Sequence, residues 1–424
     1  MGMPDHLARQ LRRVRREGVK DSIRRVVRLA HTRIGAAELD FPLLSGDVAD
    51  STRLRSDLDA PVRSSSTPLN IGWVCAPPSL GSGGHTTMFR MVEALEASGH
   101  NCQILLYDRH HGEAHRYAAV IRNGWPNVKA SVHMVGGTIP GLDGCVATSW
   151  PTAHVLASRL TDSTRGFYFI QDYEPFFHPR GSMYELAADS YRFGFFNLAL
   201  GHMVADCIAD ELGVGSTVLP FGCDTDVYSL SNNGSRRGVV FYAKPGVPRR
   251  GYELAVLALR EFNRLRPDQP IHVYGGHGRD LGIPVTTHDR LSPADLNLLY
   301  NGAITGLAMS FTNISLVAEE MLAAGAIPVV NDSPYSRADI GNKHVAWTTP
   351  TPAAIADTLV RLVDEPNVAS RAKAAASSVR LDGWARTTKL LVSAIEGELQ
   401  GTWLCTDAGR RQIEAMAVRE ETLR

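Results

Sequence analysis

The chain has 424 residues, 44% of them hydrophobic and 21% charged, with a formal net charge of zero. That length exceeds one compact core and points to two domains with an appendage. The charge balance excludes a nucleic-acid-binding role for the molecule as a whole.

Residues 1–33 carry Arg9, Arg12, Arg13, Arg15, Arg16, Lys20, Arg24, Arg25, Arg28 and Arg33 against Asp5, Glu17 and Asp21. Leu7, Leu11, Val14, Ile23, Val26 and Val27 recur there at rough helical spacing. Two readings stand: a basic amphipathic helix lying on an anionic membrane surface, or a solvated arm. Residues 34–68 read as linker, closed by Ser64–Ser66 and Pro68. The arm has no continuous apolar segment of the secretory type, and no run approaches the roughly 18 apolar residues of a membrane span. Cys75, Cys102, Cys145, Cys207, Cys223 and Cys405 form no CxxC pair, so buried thiols in a reducing compartment are expected. Together these place the protein in the cytoplasm.

Order begins at Leu69. Leu69–Cys75 is a short apolar run of the buried parallel-strand type, followed by a Pro/Gly loop over 77–84 and a helical pattern ending near Gly99. Strands are predicted at Cys102–Tyr107, near Ala130–Val135, at Cys145–Ser149 and at Gly166–Ile170, with a helix after Pro151. The alternation restarts after Leu219–Asp224: strand Val239–Ala243, helix Tyr252–Leu265, strand Ile271–Tyr274, helix Pro293–Tyr300, strand Gly306–Ser310, helix from about Asn313 to Ala324, strand Ile327–Val330. From Thr351 the pattern is helical. Two separate βαβ series predict two doubly wound Rossmann-like domains with a cleft between them.

Four segments carry candidate chemistry. Gly83, Gly84 and His85 follow the first strand and open a helix, where glycine admits close approach of a ligand and free N–H groups favour anions. A dinucleotide fingerprint would need glycine at position 86, which is Thr86; only Asp108 fits that alternative. Thr312 or Asn313 is expected to cap the helix after Ser310, presenting first-turn N–H groups to a diphosphate. On that helix Glu320 shares a stripe with Leu316 and aims at a partner or ligand hydroxyl, whereas Glu319, rotated by about 100°, is expected to be solvated. Lys244, Arg249, Arg250 and Gly251 lie in a loop at a strand's carboxyl end, either solvated or, beside that helix start, an anion clamp. Gln171, Asp172 and Glu174 precede Pro175 at another strand end, where paired acids bind hydroxyls, move a proton, or merely shape a turn. The other histidines, including His110, His111 and His178, show no metal spacing.

Over about residues 69–400 these runs resemble the GT-B glycosyltransferases of family 4. Carrying the resemblance are Gly83-Gly84-His85, the crossover Pro220-Phe-Gly222-Cys-Asp224, Lys244 with Arg250-Gly251, and Glu320 five residues before Gly325. It implies a basic pair on the donor diphosphate and a glutamate, Glu320, on the nucleotide ribose. The first glutamate of the family's pair should fall at position 312, where this chain has Thr312. Ser310-x-Thr312-Asn313-x-Ser315, with Tyr242-Ala-Lys244-Pro and Gln171-Asp-Tyr-Glu-Pro, is similar to the bacterial surface-polysaccharide rhamnosyltransferase branch, which uses dTDP-rhamnose. The resemblance therefore implies retaining transfer of a hexosyl group, L-rhamnosyl above all, to a glycan or lipid-linked acceptor. The donor is a co-substrate, and no cofactor or metal is expected. Gln171, Asp172 and His85 are the expected catalytic residues. Gly83, Gly84, Lys244, Arg249, Arg250, Gly251, Thr312, Asn313, Ile314, Ser315 and Glu320 are the expected donor contacts. The expected domains are 1–68, the basic extension and linker; 69–218, on the acceptor side; 219–385, on the donor side; and 386–424, helices returning to the first domain. Alternatives are a GDP- or UDP-hexose donor, a sugar-nucleotide epimerase, or a non-catalytic partner of a transferase.

Overall fold

The computed structural model describes residues 41–54, 68–110, 112–139, 141–161, 163–232, 234–275, 280–288, 291–314 and 316–402. The basic arm 1–33, Ser315 and Cys405 lie outside them. The chain divides into Met1–Val48, which holds a short 3-10 turn at Ser45–Asp47, and Ala49–Arg424, which carries both sheets.

The first sheet contains β1 (Asn70–Cys75), β2 (Asn101–Leu106), β3 (Ser131–Met134), β4 (Gly144–Ala147), β5 (Arg165–Ile170), β6 (Phe196–Leu200) and β7 (Thr217–Leu219). Its helices are α1 (Gly83–Ala97), α2 (Ala114–Gly124), α3 (Trp150–Arg159), α4 (Ser182–Asp189) and α5 (His202–Leu212). The second sheet contains β8 (Val239–Tyr242), β9 (Ile271–Tyr274), β10 (Thr286–Thr287), β11 (Thr305–Leu307), β12 (Ile327–Asn331) and β13 (Ala346–Thr348). With it go α6 (Tyr252–Leu265), α7 (Pro293–Gly302), α8 (Leu316–Ala323), α9 (Pro334–Asp339), α10 (Pro352–Asp364), α11 (Val368–Ala376) and α12 (Ala385–Leu399).

The strand orders are β3-β2-β1-β4-β5-β6-β7 and β10-β9-β8-β11-β12-β13, parallel throughout. Both sheets are doubly wound, and strand order reverses between β1 and β4 and again between β8 and β11. Ligands of such sheets bind at the carboxyl ends of the strands flanking the reversal. Strands covered on both faces must be apolar throughout, which is why β1 and β5 read as unbroken runs. Trp73 and Phe169 meet edge to face at 6.1 Å in the first core. In the second, Ala255, Leu259 and Phe262 line the inner stripe of α6, which packs along α10.

The alternation continues further than the sequence pattern predicts. Between Ile170 and the crossover lie β6 and β7, and β13 follows β12. These strands have three to five residues, too few to register as periodic segments. The last helix, α12, packs against α1 and β7, placing Leu391, Ile395 and Leu399 in the first core. Thr387 donates to the Pro220 carbonyl at 2.6 Å, and Arg165 Nε lies 2.8 Å from Glu398 Oε1. Gly222 sits beneath this junction, where an added Cβ would lie 2.5 Å from the Gly383 carbonyl oxygen. Part of the segment read as linker is built in: Ala49 N donates to His154 Nδ1 at 3.1 Å, and Ser51 Oγ to Asp189 at 2.5 Å.

Candidate functional site

The loop after β5 of the first sheet meets the loops after β8 and β11 of the second. Asp172 is the centre of that meeting. Its carboxylate is buried and accepts from Thr312 Oγ1 at 2.9 Å, Asn313 N at 3.3 Å and Tyr173 N at 2.9 Å. Arg249 Nε lies 3.6 Å from Oδ2. Burial pushes the Asp172 carboxyl above its ordinary value, while the neighbouring Arg250 and Arg249 guanidiniums pull it back. Arg250 donates to Ser310 Oγ at 2.8 Å, and Arg249 stacks over the Phe177 ring at 4.0 Å. Asn313 Nδ2 donates to the Gln171 carbonyl at 2.5 Å, which orients the amide and leaves Asn313 Oδ1 buried without a donor. The Gln171 side chain reaches the start of α1, within 3.7 Å of where a Gly84 Cβ would stand.

Thr312 and Asn313 are not caps of the following helix. The described helix α8 spans Leu316–Ala323, and their side chains and the Asn313 N–H bond instead to Gln171 and Asp172. Ser310 is held in turn: its N–H donates to Asn331 Oδ1 at 2.8 Å, and its hydroxyl donates to the Asn313 carbonyl. Ile314 is buried, and Ser315 lies outside the described residues. Gly251 has φ +63° and stands against Phe311, so the basic loop can turn into α6 only without a Cβ. Lys244 leans on the Tyr242 ring at 5.2 Å, and among the described residues no carboxylate pairs with it.

The two acids of the β5 loop do not form a pair facing one ligand. Glu174 turns into the first domain, accepting from Trp150 N at the start of α3 and from Tyr168 OH at 3.3 Å. Burial pushes its carboxyl up to about 8, and the Asp172 charge adds to the rise. His85 is likewise engaged in its own domain: Nε2 lies 3.2 Å from the Ala76 carbonyl and Nδ1 2.9 Å from Ser82 Oγ. A carbonyl cannot donate, so Nε2 carries a proton, and burial lowers the pKa of the ring. Gly83 and Gly84 are exposed at the first turn of α1. Asp108 is committed to its own loop, accepting from His110 N, Gly112 N and Tyr117 OH.

Glu320 lies apart from the Asp172 cluster. It is half-buried near Asp224, Tyr228, Tyr274 and Tyr300, and burial, then Asp224 and Glu319, raise it to about 8. Glu319 is not the solvated acid expected from helix geometry. It too is half-buried, and burial raises it to about 7, with Asp339 adding to the rise. Arg90 was not among the expected residues. From α1 it grips both oxygens of Asp224 at 2.7 and 2.8 Å and lies 4.7 Å over Trp384, tying α1, the crossover and the last helix together. Asp339 is a second unforeseen link, for it accepts from His202 N at 2.5 Å and Met203 N at 3.1 Å across to α5. Neither had a local pattern to reveal it, since their partners are 134 to 137 residues away. No described helix is long and apolar enough to cross a membrane.

Residues 237–360 match the family model described as WsaF, C-terminal domain. The O-antigen biosynthesis protein RfbC of Myxococcus xanthus is 27% identical over 297 residues, covering 66% of this chain and 23% of its own length. The chain thus spans about a quarter of that relative. Among solved structures, HepE of Anabaena in complex with UDP superposes with a TM-score of 0.58 at 14% identity, over 78% of this chain and all of that one. A glycosyltransferase from Rickettsia africae gives 0.56 at 12% identity, covering 79% and 99% of the two chains. At such identities the likeness is one of fold, and the fold is GT-B: two doubly wound domains whose strand ends face each other.

Proposed function

We propose that the chain is a retaining glycosyltransferase that moves a hexosyl group from a nucleotide diphosphate to a glycan or lipid-linked acceptor in cell-surface polysaccharide synthesis. One observation carries this reading. Lys244, Arg249, Arg250 and the Thr312–Asn313 backbone collect at the switch point of the second sheet, opposite the glycine start of α1 and Gln171. A departing nucleoside diphosphate needs fixed positive charge and N–H donors, and this is where the fold supplies them. Glu320, on a separate wall beside three tyrosines, suits the nucleotide ribose. Supporting the class are the similarity to the O-antigen biosynthesis protein RfbC and the UDP held by HepE on the same fold.

The donor proposed is dTDP-L-rhamnose. Thr312 replaces the acid that the family places on donor hydroxyls, and the nearest carboxylate, Asp172, is committed to Thr312, Asn313 and Arg249. A 6-deoxy sugar asks less of such a site. The reaction is placed in the cytoplasm, with the arm 1–33 as the proposed contact with anionic lipid.

Thermal-shift measurements against dTDP-, UDP- and GDP-sugars test the donor; stabilisation by UDP- or GDP-sugars alone sinks the rhamnosyl reading and spares the transferase. Incubation of the stabilising donor with and without acceptor separates transfer from epimerisation. No shift with any nucleotide, with Glu320→Ala behaving as the parent protein, overturns the site.

A further inference from the structure

Asp172 holds an unusual place: an acid of one domain bonded to the anion-binding groups of the other. Thr312 Oγ1 and Asn313 N point at its oxygens from the second domain, at 2.9 and 3.3 Å, with Arg249 at 3.6 Å. These are the groups assigned above to the donor diphosphate. Charges near the cluster are uneven: the guanidiniums of Arg249 and Arg250 face the single carboxyl of Asp172, while Glu174 turns away to Trp150 N and Tyr168 OH. One donor is also unfinished. Arg249 Nε is buried without a hydrogen-bond partner. A carboxylate offers two oxygens in one plane, fewer than a diphosphate, so the donors of this site are only partly used by it.

Resting on the donor-site reading, we infer that Asp172 is an internal stand-in for the donor diphosphate: it latches the two domains together when no donor is bound and is exchanged for the donor on binding. Asn313 Nδ2 on the Gln171 carbonyl is the second strand of the latch, so release of Asp172 frees the whole contact between 171–172 and 312–313. The device keeps the cations covered until an anion richer in oxygens arrives. It also sets a cost on donor binding, because only the fraction of molecules with the latch open is competent.

The test uses the full chain and its variants Asp172→Asn and Thr312→Val. Asparagine keeps the size of the side chain and removes its charge; valine removes one latch bond and leaves every charge in place. Small-angle scattering of the nucleotide-free proteins is expected to show a larger radius of gyration for D172N and a smaller increase for T312V. Titration with dTDP and UDP is expected to give about tenfold tighter binding by D172N, as a latch closed about nine-tenths of the time implies. Turnover by the same variant should fall, a split between affinity and rate that a purely structural residue does not produce. Unchanged scattering for both variants, or D172N binding as the parent or more weakly, overturns the latch. If D172N expands but neither nucleotide binds any of the proteins, the donor reading fails together with the exchange, and an interdomain joint alone is left.

Discussion

Replacing Asp339 separates two contributions that usually come together. Helix α5 has Gly201 at its N-cap, with no side chain to cover the first N–H groups. The cap comes instead from Asp339 on α9, whose oxygens lie 2.5 and 3.1 Å from His202 N and Met203 N. Losing an N-cap acceptor costs about 1 kcal/mol, and up to about 2 when the helix end is partly buried. The charge itself contributes less. Burial drives the Asp339 carboxyl above its ordinary value even though both N–H groups lower it, so ionisation is on balance opposed there. Asp339→Asn keeps one acceptor of the two, because His202 N and Met203 N bond to different oxygens, and is expected to lose about 0.5–1 kcal/mol, less than the alanine variant. Asp339→Ala leaves both donors bare and is expected to lose about 1–2 kcal/mol, which is about a five- to thirtyfold rise in local opening. Hydrogen exchange read by mass spectrometry on peptides spanning 202–212 measures this directly. The rise should appear in α5 of the first domain although the substitution is in the second. If exchange in α5 is unchanged in D339A, or rises equally in D339N, the cross-domain cap is not what holds the helix.

Three further outcomes follow from the same geometry. Glu320 has a folded pKa of about 8 against an ordinary value near 4.5, so its contribution to stability is intact at low pH and is lost as pH climbs from about 4.5 to about 8. Glu320→Gln should therefore gain melting temperature over the parent progressively from pH 5 to 8.5; a gap that does not widen with pH contradicts the buried-acid assignment. Gly222→Ala forces a Cβ to 2.5 Å from the Gly383 carbonyl, a backbone atom that cannot swing aside. It should cost about 1–3 kcal/mol and expose α12 to limited proteolysis, and parent-like protease resistance would speak against this packing. Lys244→Ala should weaken dTDP or UDP binding about tenfold and flatten its salt dependence with little change in melting temperature, because no described carboxylate pairs with the lysine. Equal affinity by calorimetry removes Lys244 from the phosphate site.

Much of the architecture was legible because parallel strands buried on both faces leave a strong imprint. The apolar runs at Leu69–Cys75, Gly166–Ile170 and Val239–Ala243 could be little else, and the two βαβ series either side of Pro220 implied two doubly wound sheets. What escaped was short or non-local. β7 has three residues and ends at Leu219, inside the segment taken for a break. The crossover motif around Gly222 was visible as letters, but its reason was not. Gly222 is needed for the close approach of Gly383, 161 residues later, and not for an unusual φ.

The site shows the same limit more sharply. Read along the chain, Thr312 is a position from which an acid is missing, and the helix after it should begin within a residue. In three dimensions Asp172 brings a carboxylate to the Thr312 hydroxyl from 140 residues upstream, and that contact takes the hydroxyl expected to cap the helix. Spacing along a sequence records which groups share a helix face or a turn; it holds no record of which loop of another domain will arrive opposite. The loss of an acid from one strand end and the arrival of another from the facing domain are therefore separate facts. The substrate argument drawn from Thr312 concerns hydroxyl contacts only to the extent that Asp172 stays bound where it is. The latch experiment thus bears on donor choice as well. If the parent takes the proposed dTDP-rhamnose, a D172N enzyme that keeps that donor assigns the choice to Thr312 and the second domain, whereas one that loses it assigns the choice to the acid that crosses the cleft.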